Sequence, residues 1–191
     1  MIETLQGWEQ QLLLFINTQA THPWLDWFFF NITDLHKSLI FSVLGIAAVL
    51  FFSYRKYGKE CWRVILALIL TIAIGDAFSY RVVKASVERP RPFQSEALKD
   101  KVIQRKDAHG NSFPSNHAVN MFGSATILAA AFPAGRYIFY IFAVIIGYSR
   151  LYLGVHYPSD VITGAVIGFV IAWIVSRFLL IQLKSFTRPK S

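Results

Sequence analysis

Three short stretches of the chain carry the residues that chemistry on a phosphate ester needs: Lys84-Ala-Ser-Val-Glu-Arg-Pro-Arg91-Pro92, Pro114-Ser115-Asn116-His117, and Ser149-Arg150 with His156 and Asp160 following. Arginine offers a planar fork that bonds phosphate oxygens in pairs, and lysine adds a point charge. Arg91, Arg150 and Lys84, drawn from separate predicted helix ends, could therefore surround a phosphate. Asp160 lies four residues after His156, and Pro158 and Ser159 between them are helix-start signals. A carboxylate in that first turn can reach back to one imidazole nitrogen and leave the other aimed at phosphorus. Pro114 and Ser115 open an apolar block, where unpaired backbone N–H groups and the helix dipole favour an anion and the Ser115 hydroxyl can join them. Taken singly, each cation reads as an interfacial side chain snorkelling out of lipid, and His156 as a histidine beside an aspartate helix cap. As a set they match what phosphate-ester hydrolysis demands: a held phosphate, stabilised oxygens, an in-line nucleophile and a proton for the leaving oxygen.

The elements that must position these groups are long apolar blocks. The chain has 191 residues, 54% of them hydrophobic and only 16% charged, against roughly 25% charged in an ordinary soluble domain. Its single cysteine excludes an intramolecular disulfide framework and any multi-cysteine zinc site. Leu39 to Tyr54, Val64 to Tyr80, Ala118 to Phe132, Tyr137 to Ser149 and Val161 to Leu183 are almost free of charge. A bilayer core needs about 20 mostly apolar helical residues, so the third and fourth blocks must borrow from their flanks or tilt. The fold class predicted is all-α, a polytopic membrane helix bundle with about five transmembrane helices, forming a single domain over residues 1–191. Five spans place the end of the second, the start of the third, the end of the fourth and the start of the fifth on one side, and all three stretches lie there.

Residues 1–35 differ. Leu5, Trp8, Leu12 and Phe15 fall on one helical face, with Glu3, Glu9, Gln10 and Gln11 elsewhere, which predicts an N-terminal interfacial helix; a short buried helix fits equally well. No Lys or Arg precedes Lys37 and no cleavage site follows an apolar core, unlike a secretory signal. Residues 85–113, with Pro90, Pro92 and a mixed-charge run from Glu96 to Asp107, predict a solvated loop on the side of the three stretches.

The net charge of +8 invites a nucleic-acid reading, which fails because the cations divide between two membrane faces instead of forming one stripe. Arg55, Lys56, Lys59, Arg63, Arg136, Arg177, Lys184, Arg188 and Lys190 fall on the side away from the three stretches, with Glu60 as their only acid. Three of the cations on the other side are assigned to a substrate. That balance favours a cytoplasmic location for the nine-cation side, with the three stretches facing the periplasm or exterior of a bacterial inner membrane.

Together the stretches resemble the signature motifs of the type 2 phosphatidic acid phosphatase (PAP2) superfamily: Lys, six residues, Arg-Pro; Pro-Ser-Gly-His; and Ser-Arg, five residues, His, three residues, Asp. The first and third match fully, and the second has Asn116 where the family has Gly. The resemblance implies a lipid phosphatase with His156 as the nucleophile that forms a phosphohistidine, Asp160 orienting it, and His117 as general acid and then general base. It implies Lys84, Arg91, Ser115 and Arg150 as phosphate ligands, with Asn116 offering its amide or only tolerating the same backbone, and no metal or other cofactor. The partners expected are a membrane lipid phosphate and the bilayer, with no obligate protein partner. Among lipids the resemblance favours undecaprenyl diphosphate, with lipid A 1-phosphate close behind and phosphatidylglycerophosphate and phosphatidate as further candidates. The rival of another class, a non-catalytic lipid-binding or transport protein on the same fold, has no need of a His-Asp pair.

Seven further positions carry expectations. Asp76, within the second block, is read as pairing with Arg81 or a motif arginine. Arg89 matches no motif position and is read as surface charge or headgroup contact. His22 and His36 are placed in the interface and His109 in the loop. Gly135 and Gly154 are read as backbone fits.

Overall fold

The computed structural model describes residues 2–35, 38–181 and 183, and the side chains from Gly7 onward. The expectations for Leu5, Glu3, His36, Lys37, Lys184, Arg188 and Lys190 lie outside the described residues or side chains. All regular structure among the described residues is helical: α1 Ile2–Leu14, α2 Pro23–Ile32, α3 Leu39–Tyr57, α4 Trp62–Phe78, the single turn α5 Lys84–Ser86, α6 Asn116–Ala131, α7 Arg136–Tyr152 and α8 Pro158–Leu179. Each of the five apolar blocks forms one of α3, α4, α6, α7 and α8. The continuous helical run Leu39–Ser86 and helix Pro158–Leu179 are the two described stretches long and apolar enough to cross a membrane.

Helix starts and stops follow local chemistry. Pro23 opens α2, and the His22 ring accepts the Trp24 N–H at 3.2 Å. Pro158 opens α8, and the Asp160 carboxylate three positions beyond Tyr157 accepts the Tyr157 N–H at 2.9 Å, a cap for the first turn. Gly154, at φ +74°, turns the chain between α7 and α8. A Cβ there would lie 2.6 Å from the Ile103 carbonyl oxygen, so the position admits only glycine.

Helices α6 and α8 make the closest approach in the fold, and glycine permits it. A Cβ on Gly168 would come within 2.1 Å of the Val119 carbonyl oxygen, and one on Gly164 within 2.6 Å of the Ser115 carbonyl oxygen. That contact draws the N-terminus of α6 against the N-terminus of α8, where the Ser115 N–H donates to the Asp160 carbonyl at 3.1 Å. The second and third motifs meet for this reason.

Two apolar cores stand at opposite ends of the bundle. One joins Tyr57, Val64 and Ala67 to Ile127, Ala131, Ala172 and Val175, far from the motifs. The other joins Leu13, Ile16 and Phe29 of the N-terminal segment to Leu98 and Val102 of the long loop and to Tyr152, Leu153 and Val155. Between them the helices wear apolar side chains outward, among them Leu39, Phe41, Ile138, Ile141, Val166 and Phe178. An exposed apolar belt of this extent suits lipid rather than water.

Two expectations change here. The 85–113 loop is anchored as well as solvated: Leu98 and Val102 pack into the core, and Arg105 donates to the carbonyls of Asn17 and Tyr152. Along α1 and the helical turn Phe15–Gln19 that continues it, Trp8 and Phe15 are exposed, as an interfacial helix requires, but the neighbouring stripe of Glu9, Leu13 and Ile16 is buried. The helix lies across the motif end of the bundle, half exposed and half packed, because its second stripe has the loop and α7 to bury against.

Candidate active site

His156 and Asp160 are both buried, at 3% and 0% exposure. Nδ1 of His156 lies 3.3 Å from Oδ2 of Asp160, and Nε2 lies 3.4 Å from Nη1 of Arg91. A carboxylate at Nδ1 holds the proton there and leaves the Nε2 lone pair directed at the arginine-lined space. Burial lowers the His156 pKa to about 4; Asp160 opposes the shift, and the nearby cations Arg150 and Arg91 add to it. The imidazole is therefore neutral at neutral pH, with the Nε2 lone pair facing Arg91.

Arg91 is buried with its guanidinium fixed by three carbonyls: Nε donates to Gly110 at 3.0 Å, Nη1 to Val155 at 2.8 Å and Nη2 to His109 at 2.8 Å. The loop thus wraps the arginine and aims it at His156. Burial lowers the Arg91 pKa from its ordinary value, with Asp160 working against the shift. Arg150, also buried, donates from Nη1 to the Thr33 hydroxyl at 2.7 Å, while its Nε has no partner among the described residues. Lys84 donates to the Asn111 carbonyl at 2.8 Å and feels both Arg91 and Asp160 electrostatically. Ser115 precedes α6 in extended conformation, and its buried hydroxyl likewise lacks a partner among the described residues. Unpaired buried donors beside fixed cations leave bonding capacity for anionic oxygens.

His117 sits in the first turn of α6 with its Nε2 3.7 Å from Oδ1 of Asp34, whose other oxygen pairs with Lys106 at 2.8 Å. Each of the two histidines therefore has an aspartate beside it. Among the described residues no group of three His, Cys, Asp or Glu side chains gathers at metal-ligand spacing.

Two sequence expectations are corrected, those for Asp76 and Arg89. The Asn116 amide donates to Asp76 at 3.1 Å, as does that of Asn120. Asp76 is held by these two asparagines of α6, which face it across the α4–α6 contact, and not by Arg81 or a motif arginine. Arg89 is no loose surface charge: its Nη1 donates to Oδ1 of Asp160 and to the Ser159 hydroxyl, each at 2.7 Å, and its Nη2 bonds Glu9. Sequence reading missed Glu9, Thr33 and Asp34 altogether, because each acts across 80 or more residues of chain. For Arg89 a signal existed, two positions before Arg91 in the same Arg-Pro repeat.

Comparisons with known proteins identify the family. A sequence model of the PAP2 superfamily matches residues 60–183. A lipid A 4'-phosphatase of Bacteroides thetaiotaomicron is 33% identical over 91% of this chain and 78% of its own. An undecaprenyl-diphosphatase of Sulfolobus acidocaldarius is 30% identical over 82% of this chain and 79% of its own. The crystal structure of Aquifex aeolicus LpxE superposes with a TM-score of 0.66 at 31% identity, covering 88% of this chain and 94% of that one. With the motifs gathered at one end of a matching helical fold, and the family matched over most of the chain, this protein belongs to the PAP2 superfamily of membrane lipid phosphatases.

Proposed function

We propose that the protein removes a phosphate group from a membrane lipid through a phosphohistidine on His156. The observation that carries this reading is the His156 imidazole, held at Nδ1 by Asp160 with Nε2 turned to Arg91. The lipid phosphate binds between Arg91, Arg150 and Lys84, with the Ser115 hydroxyl and the N-terminus of α6 completing the cradle. Nε2 attacks phosphorus in line as the bond from phosphorus to the lipid oxygen breaks, and His117 gives that oxygen its proton. Asp160 stabilises the imidazolium that results. His117 then takes a proton from water as the water oxygen attacks phosphorus, the P–N bond breaks, and inorganic phosphate leaves with His156 restored.

We place α3, α4, α6, α7 and α8 across the bilayer, α1 in the interface, and the catalytic end at the periplasmic or outer face. The outward apolar belt and the cations at the far end favour this arrangement. Cys61 lies at that far end and should resist a membrane-impermeant thiol reagent in intact cells; labelling there reverses the orientation.

For substrate we favour a phosphorylated lipid A, since two relatives named lipid A 4'-phosphatase align over 91% and 90% of the chain. Undecaprenyl diphosphate is the second reading, carried by relatives named for it. The experiment is phosphate release in detergent from lipid A, undecaprenyl diphosphate, phosphatidylglycerophosphate and phosphatidate, with and without EDTA. Fastest turnover on lipid A, undiminished by EDTA and abolished in His156→Ala, is the expected result. An active His156→Ala variant sinks the mechanism, and a divalent requirement points to a metal enzyme.

A further inference from the structure

The Asp160 carboxylate has two oxygens and two tasks. Oδ2 faces His156 Nδ1 and the Tyr157 amide. Oδ1 faces the Arg89 guanidinium at 2.7 Å. Arg89 is shared in turn: the same Nη1 reaches Ser159 Oγ at 2.7 Å, and Nη2 bonds Oε1 of Glu9. Ser159 donates its own proton to the other Glu9 oxygen at 2.5 Å, which closes the ring. The guanidinium carbon lies over the Tyr157 ring, 3.8 Å from its centroid. Glu9 comes from α1, 80 residues from Arg89, and is buried to 7% exposure although α1 has a solvated face available.

A buried ion pair is costly to assemble and adds little net stability compared with apolar packing, so fastening α1 does not by itself explain a glutamate at this position. The charges near His156 give a better reason. Lys84, Arg91 and Arg150 already supply three cations for the substrate. A fourth, bonded to Asp160 without a counter-charge, would draw down the negative charge that must stabilise the imidazolium when Nε2 takes phosphorus. Glu9 neutralises Arg89 while leaving its bond to Oδ1 in place. The carboxylate is then held in one orientation without losing its electrostatic effect on His156.

We propose that Arg89 and Glu9 are positioning residues for Asp160, so that the N-terminal helix, outside the family-matched segment, completes the catalytic end. This inference rests on the reading of His156 and Asp160 as the nucleophile pair. Its test is steady-state kinetics of the full chain in detergent, on whichever of lipid A and undecaprenyl diphosphate the wild type hydrolyses faster. Glu9→Gln is expected to lower kcat about tenfold with KM within about twofold, and the Arg89→Gln/Glu9→Gln double variant to be no slower than Arg89→Gln alone. Glu9→Asp, which keeps the charge, is expected to recover most of the loss.

An unchanged kcat in Glu9→Gln, or losses that multiply in the double variant, overturns the proposal. So does failure of both Glu9→Gln and Glu9→Asp to elute as folded protein, which would make Glu9 a structural clamp. His156→Ala run in parallel separates the two levels. If it is inactive while Glu9→Gln is fully active, only the positioning role falls; if it is active, the nucleophile reading falls and the positioning role with it.

Discussion

Oδ2 of Asp160 lies 3.3 Å from Nδ1 of His156 and also accepts the Tyr157 N–H, so one carboxylate both starts α8 and sets the orientation of the imidazole. Helix start and imidazole orientation are therefore fixed by the same side chain. Asp160→Asn keeps the shape of the cap but can present its amide N–H to Nδ1, which favours the wrong tautomer. The expected loss in kcat is about 10⁴-fold, as when a serine-protease triad aspartate is changed to asparagine. Phosphate release measures it, and a thermal midpoint near the wild type would separate it from unfolding.

Burial and the two arginines lower the His156 pKa to about 4, below its ordinary value of 6.5. The acid limb of kcat/KM that belongs to the nucleophile should therefore fall near pH 4 and not near 6.5. The sign of the stability effect follows from the same shift. Between those values the unfolded chain binds a proton at His156 that the folded chain refuses, so the contribution is full above pH 6.5 and is lost as pH falls towards 4. A pH-rate profile of the purified enzyme checks the first statement and thermal unfolding between pH 4 and 7 the second. An acid limb at 6.5 would overturn the first statement, since His117, acting as a proton donor, must be protonated and shows on the basic limb instead.

Asp34, from the segment between α2 and α3, lies 3.7 Å from His117, the proton donor of the proposed mechanism. Replacing His117 with Ala should slow hydrolysis of an alkyl lipid phosphate by about 10²–10⁴-fold. Asp34→Asn should give a smaller loss of the same character. An aryl phosphate, whose leaving oxygen needs no proton, should be far less sensitive to either change. Equal losses on alkyl and aryl substrates would remove His117 from that role.

Gly168 meets Val119 backbone to backbone at the α6–α8 crossing, with a Cβ placed only 2.1 Å from the carbonyl oxygen. Gly168→Ala must push the helices apart, and overpacking of this kind costs about 1–3 kcal/mol. A lowered thermal midpoint is the expected result. Because the same contact brings Ser115 to Asp160, kcat should fall as well, and a variant with wild-type stability and rate would show that the crossing tolerates a side chain.

Much of the site was legible in the sequence because its signals are local. His156 and Asp160 are one helical turn apart, Pro158 marks where that helix starts, and Lys84 and Arg91 share one segment. Each apolar block of the sequence became a helix, and the run Leu39–Ser86 and helix Pro158–Leu179 are long and apolar enough to cross a membrane, since apolar block length is set by the solvent and not by partners. An exposed charge and a buried pair read alike in sequence, and for that reason Arg89 passed as surface charge and Asp76 was given the wrong partner.

Composition and spacing alone thus determined an all-helical chain with its three motif stretches on one side. Only the tertiary structure decided what stands around them. The glycine-lined crossing of α6 and α8 joined the second motif to the third, Asp76 took up the Asn116 amide, and the N-terminal segment supplied Glu9, Thr33 and Asp34 to Arg89, Arg150 and His117. The physical reason is range. Helix periodicity and capping act within a few residues and leave a mark in the sequence, whereas a hydrogen bond between groups 80 or more residues apart depends on where the whole chain packs.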